Sequence, residues 1–307
     1  MVSASMRAID LFAGLGGFSE GALQAGCRVV WAANHWQIAV DHHAENHPET
    51  EHLCQDLHQA DWTQVPEHDL LLASPACQGH ARARGKERPH HDACRSTAWA
   101  VVSALETHKT PLAIVENVPE FARWALYPAW CKALSALGYA VSPHLVDSAN
   151  HGVPQNRVRL FIVISRSRHP IEVKAKHRPQ RAASEIIQFD AGRWSPINRP
   201  GRSPNTLRRI NAGRTEHGER FLTSYYGQTR GGRSLSRPIG TITTRDRWAV
   251  IDGECMRMLT VPEARDAMGF PDTYRLPENK RTAMHMLGNA VCPPVSRDLI
   301  QALETAA

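Results

Sequence analysis

A single thiol closes the stretch Leu70-Leu71-Leu72-Ala73-Ser74-Pro75-Ala76-Cys77-Gln78-Gly79. The apolar run is the right length for a buried strand, and Ser74-Pro75 ends it in a turn. In an open parallel sheet, ligands bind beyond the carboxyl ends of the strands, so a thiol on the first turn after a strand stands where a nucleophile would act. An inert, buried cysteine fits the same local pattern equally well. A second chemical signature is Asp10-Leu11-Phe12-Ala13-Gly14-Leu15-Gly16-Gly17-Phe18, a strand running into a glycine-rich turn. With the helical sequence that follows, it forms a cradle in which a nucleotide-like ligand lies against backbone amides. Among the 17 histidines, His43 and His47 are four residues apart and His90-His91 form a pair, but no Cys or carboxylate completes a metal set. The reading for His42, His43 and His47 is a solvated helix face, and no metal is expected.

The elements that must position these residues alternate. Strands are expected over 6–11, 28–33, 69–73, 112–115, 140–146 and 159–164, with helices after 19, through about 46, over 93–106 and over 128–137. This pattern predicts an α/β chain with a doubly wound, mostly parallel sheet. From 167 to 236 the chain turns rich in Arg, Gly, Pro, Ser and Asn, and Trp194, Phe221, Leu222, Tyr225 and Tyr226 give it something to pack. A small loop-rich lobe is expected there. Regular pattern resumes with Thr260-Val261-Pro262-Glu263, the signature of a capping box, and a last helix from Ser296. At 307 residues and 42% hydrophobic content the chain suits one large core with an appended lobe. Net charge is +6, and the arginines gather between Arg157 and Arg247 where acids are few, which favours a polyanion partner. The seven cysteines are scattered with no C-x-x-C, arguing against a disulfide framework or structural zinc. No run approaches the ~20 apolar residues of a membrane span, so a soluble, cytoplasmic protein is expected.

Six motifs occur in order: the glycine loop above, Pro75-Ala76-Cys77-Gln78, Glu116-Asn117-Val118, Gln155-Asn156-Arg157-Val158-Arg159, Arg237-Pro238-Ile239-Gly240-Thr241-Ile242-Thr243-Thr244 and Gly288-Asn289-Ala290-Val291. Together they resemble the C5-cytosine DNA methyltransferase family of bacterial type, across nearly the whole chain except 167–236. The resemblance implies a Rossmann-like methyltransferase that uses S-adenosylmethionine on double-stranded DNA. Cytosine C5 is a poor nucleophile, so a thiolate must first add to C6 and raise electron density at C5. By resemblance Cys77 is that thiolate and Glu116 the carboxyl engaging N3 and the exocyclic amine. Arg159 is assigned to the base O2 and Arg157 to supporting Glu116 or a phosphate. The donor cradle is assigned to Phe12, Gly14, Leu15, Gly17, His35, Trp36 and Asp56, with Asn289 and Ala290 at the methionine end. Asp56 would accept from the adenine amine, a helix-capping role being the alternative.

Reaching a stacked cytosine requires flipping it out of the duplex, at a cost of roughly a few kcal/mol. The loop 78–92 would close over it, with Gln78, Arg82, Arg84 and Lys86 on the DNA, while Gln228, Arg230 and Arg233 of the arginine-rich lobe complete the expected contacts. The expected organisation is a catalytic and donor-binding domain over 1–166, a target-recognition lobe over 167–236, and a segment 237–307 that ends by returning to the catalytic domain; a monomer is expected. Two positions depart from the family pattern. His35 stands where an acidic residue is usual after the second strand, and Ala76 stands where a proline usually precedes the cysteine. Alternatives within reach of these residues are a tRNA cytosine-5 methyltransferase and a degenerate relative that binds DNA without reacting.

Overall fold

The computed structural model describes residues 5–76, 96–167, 169–173, 177–225 and 231–304. In chain order the elements are β1 (Arg7–Leu11), α1 (Gly17–Ala25), β2 (Arg28–Asn34), α2 (Gln37–Asn46), β3 (Glu51–Cys54), β4 (Leu70–Ala73), α3 (Trp99–His108), β5 (Leu112–Asn117), α4 (Tyr127–Ala136), β6 (Ala140–Asp147) and β7 (Val158–Ser165). There follow β8 (Ser195–Pro196), α5 (Pro204–His217), β9 (Arg220–Ser224), β10 (Gly232–Arg233), β11 (Trp248–Asp252), β12 (Cys255–Met258), α6 (Val261–Met268), α7 (Lys280–Asn289) and α8 (Pro293–Glu304).

Two compact units result. The first comprises 1–147, 158–176 and 291–307. Its seven strands run in the order β3-β2-β1-β4-β5-β7-β6. β1 to β5 pair in parallel, and β7 runs antiparallel to both β5 and β6. The alternation of strand and helix thus produces the expected doubly wound, mostly parallel sheet. Every residue of β4 is buried, which explains its unbroken Leu-Leu-Leu-Ala: it sits between β1 and β5 with both faces covered. Ile9, Leu11, Leu71, Val101, Leu105, Val115, Trp130, Leu134 and Ile162 share one buried cluster. The C-terminal helix α8 belongs to this unit and packs on α1, where a Cβ on Gly21 would fall 2.4 Å from Ser296 Cβ.

The second unit comprises 148–157 and 177–290. It holds a five-stranded sheet, β10-β9-β11-β12-β8, with every pairing antiparallel. The sequence led to the expectation of a loop-rich lobe over 167–236; the structure has the 14-residue helix α5 and strands β8, β9 and β10 there, and completes their sheet with β11 and β12 from the segment after it. The helix escapes notice because its buried stripe is narrow and weakly apolar, Thr206, Ile210 and Gly213. The strands escape because each is two to five residues long and they meet across long separations, β9 with β11 for example. Ile210, Phe221, Ala249, Ile251 and Met256 make the unit's core. The capping box is present: Thr260 Oγ1 accepts from Glu263 N, and Glu263 Oε2 accepts from Thr260 N at 2.8 Å.

The solvated-histidine reading is corrected. His43 and His47 are buried at 1% and 3% exposure, because α2 turns that face onto the sheet unit, with His52 of β3 beside them. Among the described residues no helix is long and apolar enough to cross a membrane, and no group of three His, Cys, Asp or Glu could hold a metal ion.

Candidate active site

Parallel pairing brings the carboxyl ends of β1 to β5 to one edge of the sheet, and the reversed β7 delivers its first residues to that same edge. After β1 the chain turns through left-handed backbone at Phe12 (φ 61°), Gly14 (φ 56°) and Gly16 (φ 88°). Phe12 is the unusual one, since a side chain at positive φ is strained. Ala13 N donates to Ala33 O at 3.1 Å, tying the turn to β2, and Gly16 then caps α1. Leu15 and Gly17, assigned to the donor cradle, are both buried; a Cβ on Gly17 would lie 2.0 Å from Val291 O, so that position serves close packing.

Behind the turn lies a hydrogen-bonded chain absent from the sequence reading. Asp10 Oδ2 accepts from Ser19 Oγ at 2.8 Å and from Ser19 N at 3.2 Å. His43 Nε2 meets Ser19 Oγ at 2.9 Å, and His43 Nδ1 meets His52 Nε2 at 2.7 Å. Because the Ser19 hydroxyl donates to Asp10, His43 must carry its proton on Nε2 and accept from His52 on Nδ1. Burial pushes the Asp10 carboxyl up to about 7 against the two Ser19 bonds, and burial next to His47 and His52 pushes His43 well below its ordinary value.

At the ends of β2 and β3 the side chains turn outward. His35 is exposed, and Trp36 N donates to Asn34 Oδ1 at 3.0 Å. Asp56 is exposed; its Oδ1 accepts from His58 N at 3.0 Å, which caps a short turn over Leu57–Gln59. One carboxylate oxygen is thus engaged in the capping role weighed as the alternative.

The turn after β4 is held on three sides. Ser74 N donates to Leu11 O at 3.1 Å and Ser74 Oγ to Phe12 O at 3.3 Å. Asn117 Nδ2 donates to Pro75 O at 3.0 Å, while Asn117 Oδ1 accepts from Val118 N at 2.9 Å. Ala76 N donates to Thr97 Oγ1 at 3.1 Å. Glu116, immediately before Asn117 on β5, is buried, and its Oε1 lies 3.2 Å from Arg159 Nε. The β5–β7 register explains this meeting, since Asn117 pairs with Leu160 and Arg159 precedes it. Arg159 also donates from Nη1 to Val158 O at 2.8 Å. Cys77, Gln78, Arg82, Arg84 and Lys86, together with Gln228 and Arg230, lie outside the described residues.

Four assigned residues fall in the second unit with internal duties. Arg157, expected at Glu116 or a phosphate, is 2% exposed and donates from Nη1 to Ile242 O at 3.0 Å and from Nη2 to Gly288 O and Ala290 O at 2.9 Å. A buried guanidinium facing three carbonyls positions backbone, and phosphate binding would require it to leave them. Asn289 meets His285 Nε2 through Nδ2 at 3.3 Å, and Ala290 supplies one of the carbonyls just named. Arg233, expected on DNA, donates from Nε to Pro238 O at 2.6 Å and from Nη2 to Asn156 Oδ1.

The sequence profile of the C-5 cytosine-specific DNA methylase family matches residues 6–305. The chain belongs to that family. Its reaction is methylation of cytosine at C5 in DNA. It has bacterial relatives among type II methyltransferases. It is 26% identical to M.NlaX of Neisseria lactamica, with 98% of this chain and 96% of that protein covered. It is 25% identical to M.HhaI of Haemophilus parahaemolyticus, with 93% and 90% covered. The fold of this methylase is similar to that of a DNA modification methyltransferase encoded within an E. coli prophage, at a TM-score of 0.73 and 20% identity, covering 98% of this chain and 99% of that one. It is similar also to a DNMT2 variant from Spodoptera frugiperda, at a TM-score of 0.70 and 18% identity, covering 98% and 100%. Sequence reasoning missed Asp10, Ser19 and Asn117 as members of the site. Asn117 was within reach, as the neighbour of Glu116 in a quoted motif; Ser19 and His43 carried no signal, because they meet only through the packing of α1 and α2.

Proposed function

We propose that the chain methylates cytosine within a specific sequence of double-stranded DNA, taking the methyl group from S-adenosylmethionine and forming a covalent adduct through Cys77. The observation that carries this reading is the bond from Asn117 Nδ2 to Pro75 O, 3.0 Å, which fastens the entry to Cys77 beside the buried Glu116. A nucleophile and an acid that act on one small ring must be held in register, and adjacent residues of β5 supply both the tie and the acid.

In this reading the target cytosine is flipped out of the duplex. The Cys77 thiolate forms a bond from Sγ to C6, the ring electrons shift toward C5, and N3 takes a proton from Glu116. C5 then takes the methyl group, the donor departing as a neutral thioether; water takes the C5 proton, the Sγ–C6 bond breaks to restore the ring and the thiolate, and N3 returns its proton to Glu116. Arg159 holds the Glu116 carboxyl and faces the base O2. The donor supplies the methyl group as an electrophilic sulfonium. The left-handed turn at Phe12, Gly14 and Gly16, with exposed His35 and Asp56 on the neighbouring strand ends, suits an adenosyl ligand lying along this edge. His35 offers one ring hydrogen bond to a ribose hydroxyl where a carboxylate would offer two. Gln78, Arg82, Arg84, Lys86, Gln228 and Arg230 are the proposed DNA contacts, through phosphate and base edges.

The test is to map 5-methylcytosine in DNA from cells expressing the chain. Methylation at one short recurring sequence, abolished by Cys77→Ser, is expected. Methylation of tRNA alone, measured in parallel, would overturn the choice of substrate, and a chain that binds duplex DNA yet marks neither would leave it a non-reacting relative.

A further inference from the structure

Ala76 follows β4 directly before Cys77, and Ser96 and Thr97 precede α3. One hydrogen bond joins the two segments, Ala76 N to Thr97 Oγ1 at 3.1 Å. The preceding residues have other anchors: Ser74 rests on Leu11 and Phe12, and the Pro75 carbonyl on Asn117. Ala76, the residue through which the chain enters Cys77, is held by Thr97. Thr97 is itself well founded, since its carbonyl accepts from Ala100 N at 3.2 Å and the next carbonyl, Ala98 O, accepts from the buried Trp130 Nε1 at 2.9 Å. Proline at position 76 would fix its own φ and would have no N–H to give. Alanine leaves φ free and keeps the donor, so the hydroxyl restrains from outside what a ring would restrain from within.

We propose that Thr97 is a positioning residue for the nucleophile, clasping the amide of Ala76, the residue that precedes Cys77 in the chain. This rests on the reading of Cys77 as the nucleophile. Losing one hydrogen bond and the order it imposes on one residue corresponds to about a tenfold fall in correctly placed thiol.

Four variants test it: Thr97→Val, Thr97→Ser, Ala76→Pro and the Ala76→Pro/Thr97→Val double. The readouts are the rate of covalent adduct formation on a pooled genomic duplex copied with 5-fluorodeoxycytidine, the affinity for that duplex, and hydrogen exchange at the Ala76 amide. Thr97→Val is expected to slow adduct formation about tenfold with duplex affinity within twofold, and to speed exchange at Ala76; Thr97→Ser keeps both near the parent values. In the Ala76→Pro background the valine substitution is expected to change the rate by less than twofold, because the amide it served is gone. An equal loss in both backgrounds, or an equal loss with serine, overturns the proposal. A parent protein that forms no adduct overturns the nucleophile reading instead, and Ala76 exchange unchanged by Thr97→Val then still refutes the clasp.

Discussion

Replacing Gly21 by alanine should destabilise the chain, although alanine is the better helix former. Gly21 lies within α1, where Gly→Ala favours an exposed helix by about 1 kcal/mol. Here the added Cβ would sit 2.4 Å from Ser296 Cβ, 2.6 Å from Pro293 O and 2.6 Å from Ser296 Oγ, all on α8. Carbon atoms prefer about 3.5–4.0 Å, so the two helices must part by roughly an ångström. That separation loosens the layer made by Phe18 and Ala22 on one helix and Val295 and Leu299 on the other, all buried. It also stretches the bond from Ser296 Oγ to Phe18 O, now 3.2 Å. Overpacking of this kind costs about 1–3 kcal/mol and the hydrogen bond about 1 kcal/mol. Set against the propensity gain, a net loss of about 2 kcal/mol is expected, which for a chain of 307 residues lowers Tm by roughly 3 °C. Urea unfolding followed by tryptophan fluorescence measures it, with the slope checked for constancy so that the midpoint shift reports stability. An unchanged or raised midpoint would refute the argument that α8 returns to α1 in backbone contact.

Acid should weaken the fold well above pH 4. Burial pushes His47 and His68 down to about 4, so between their unfolded value of 6.5 and about 4 the unfolded chain takes up protons that the folded chain refuses. Each then loses about 1.4 kcal/mol per pH unit as pH falls, His43 adds to the loss, and Asp10, raised to about 7, acts in the opposite sense. Urea midpoints that stay level from pH 6.5 to 5 would contradict this balance. Glu263→Ala should cost about 3–5 kcal/mol, because Arg257 and Glu263 are a fully buried bidentate pair at 2.6 and 2.7 Å, and the change strands the guanidinium. Arg257→Met with Glu263→Leu should cost less than the single change, by the same unfolding assay. Glu116→Gln should lower kcat by about 100-fold or more with little change in duplex affinity, since the amide keeps the shape of the carboxyl and cannot give up a proton; a kcat within threefold of the parent would remove Glu116 from the chemistry.

Much of the sheet unit was legible in the sequence because its signals are local. Buried parallel strands read as short apolar runs, glycines punctuate the first turn, and strand–helix alternation admits few architectures. Thr260 and Glu263 announced their helix for the same reason, a cap being made within four residues. The sheet of the second unit was not legible: it joins segments as distant as Ser195–Pro196 and Cys255–Met258, and long-range pairing of such short strands leaves no periodic trace. Side-chain roles divide along the same line. The types Cys77, Glu116 and Arg159 were readable from motif order, yet only the antiparallel placement of β7 decided that Arg159 meets Glu116. Only tertiary packing decided that Arg157 and Arg233 turn to internal acceptors, that His43 is a core residue, and that Thr97 reaches Ala76. A sequence states which groups are available, and tertiary packing decides which of them remain free to meet a ligand, because a buried donor must be satisfied by the nearest acceptor the fold supplies.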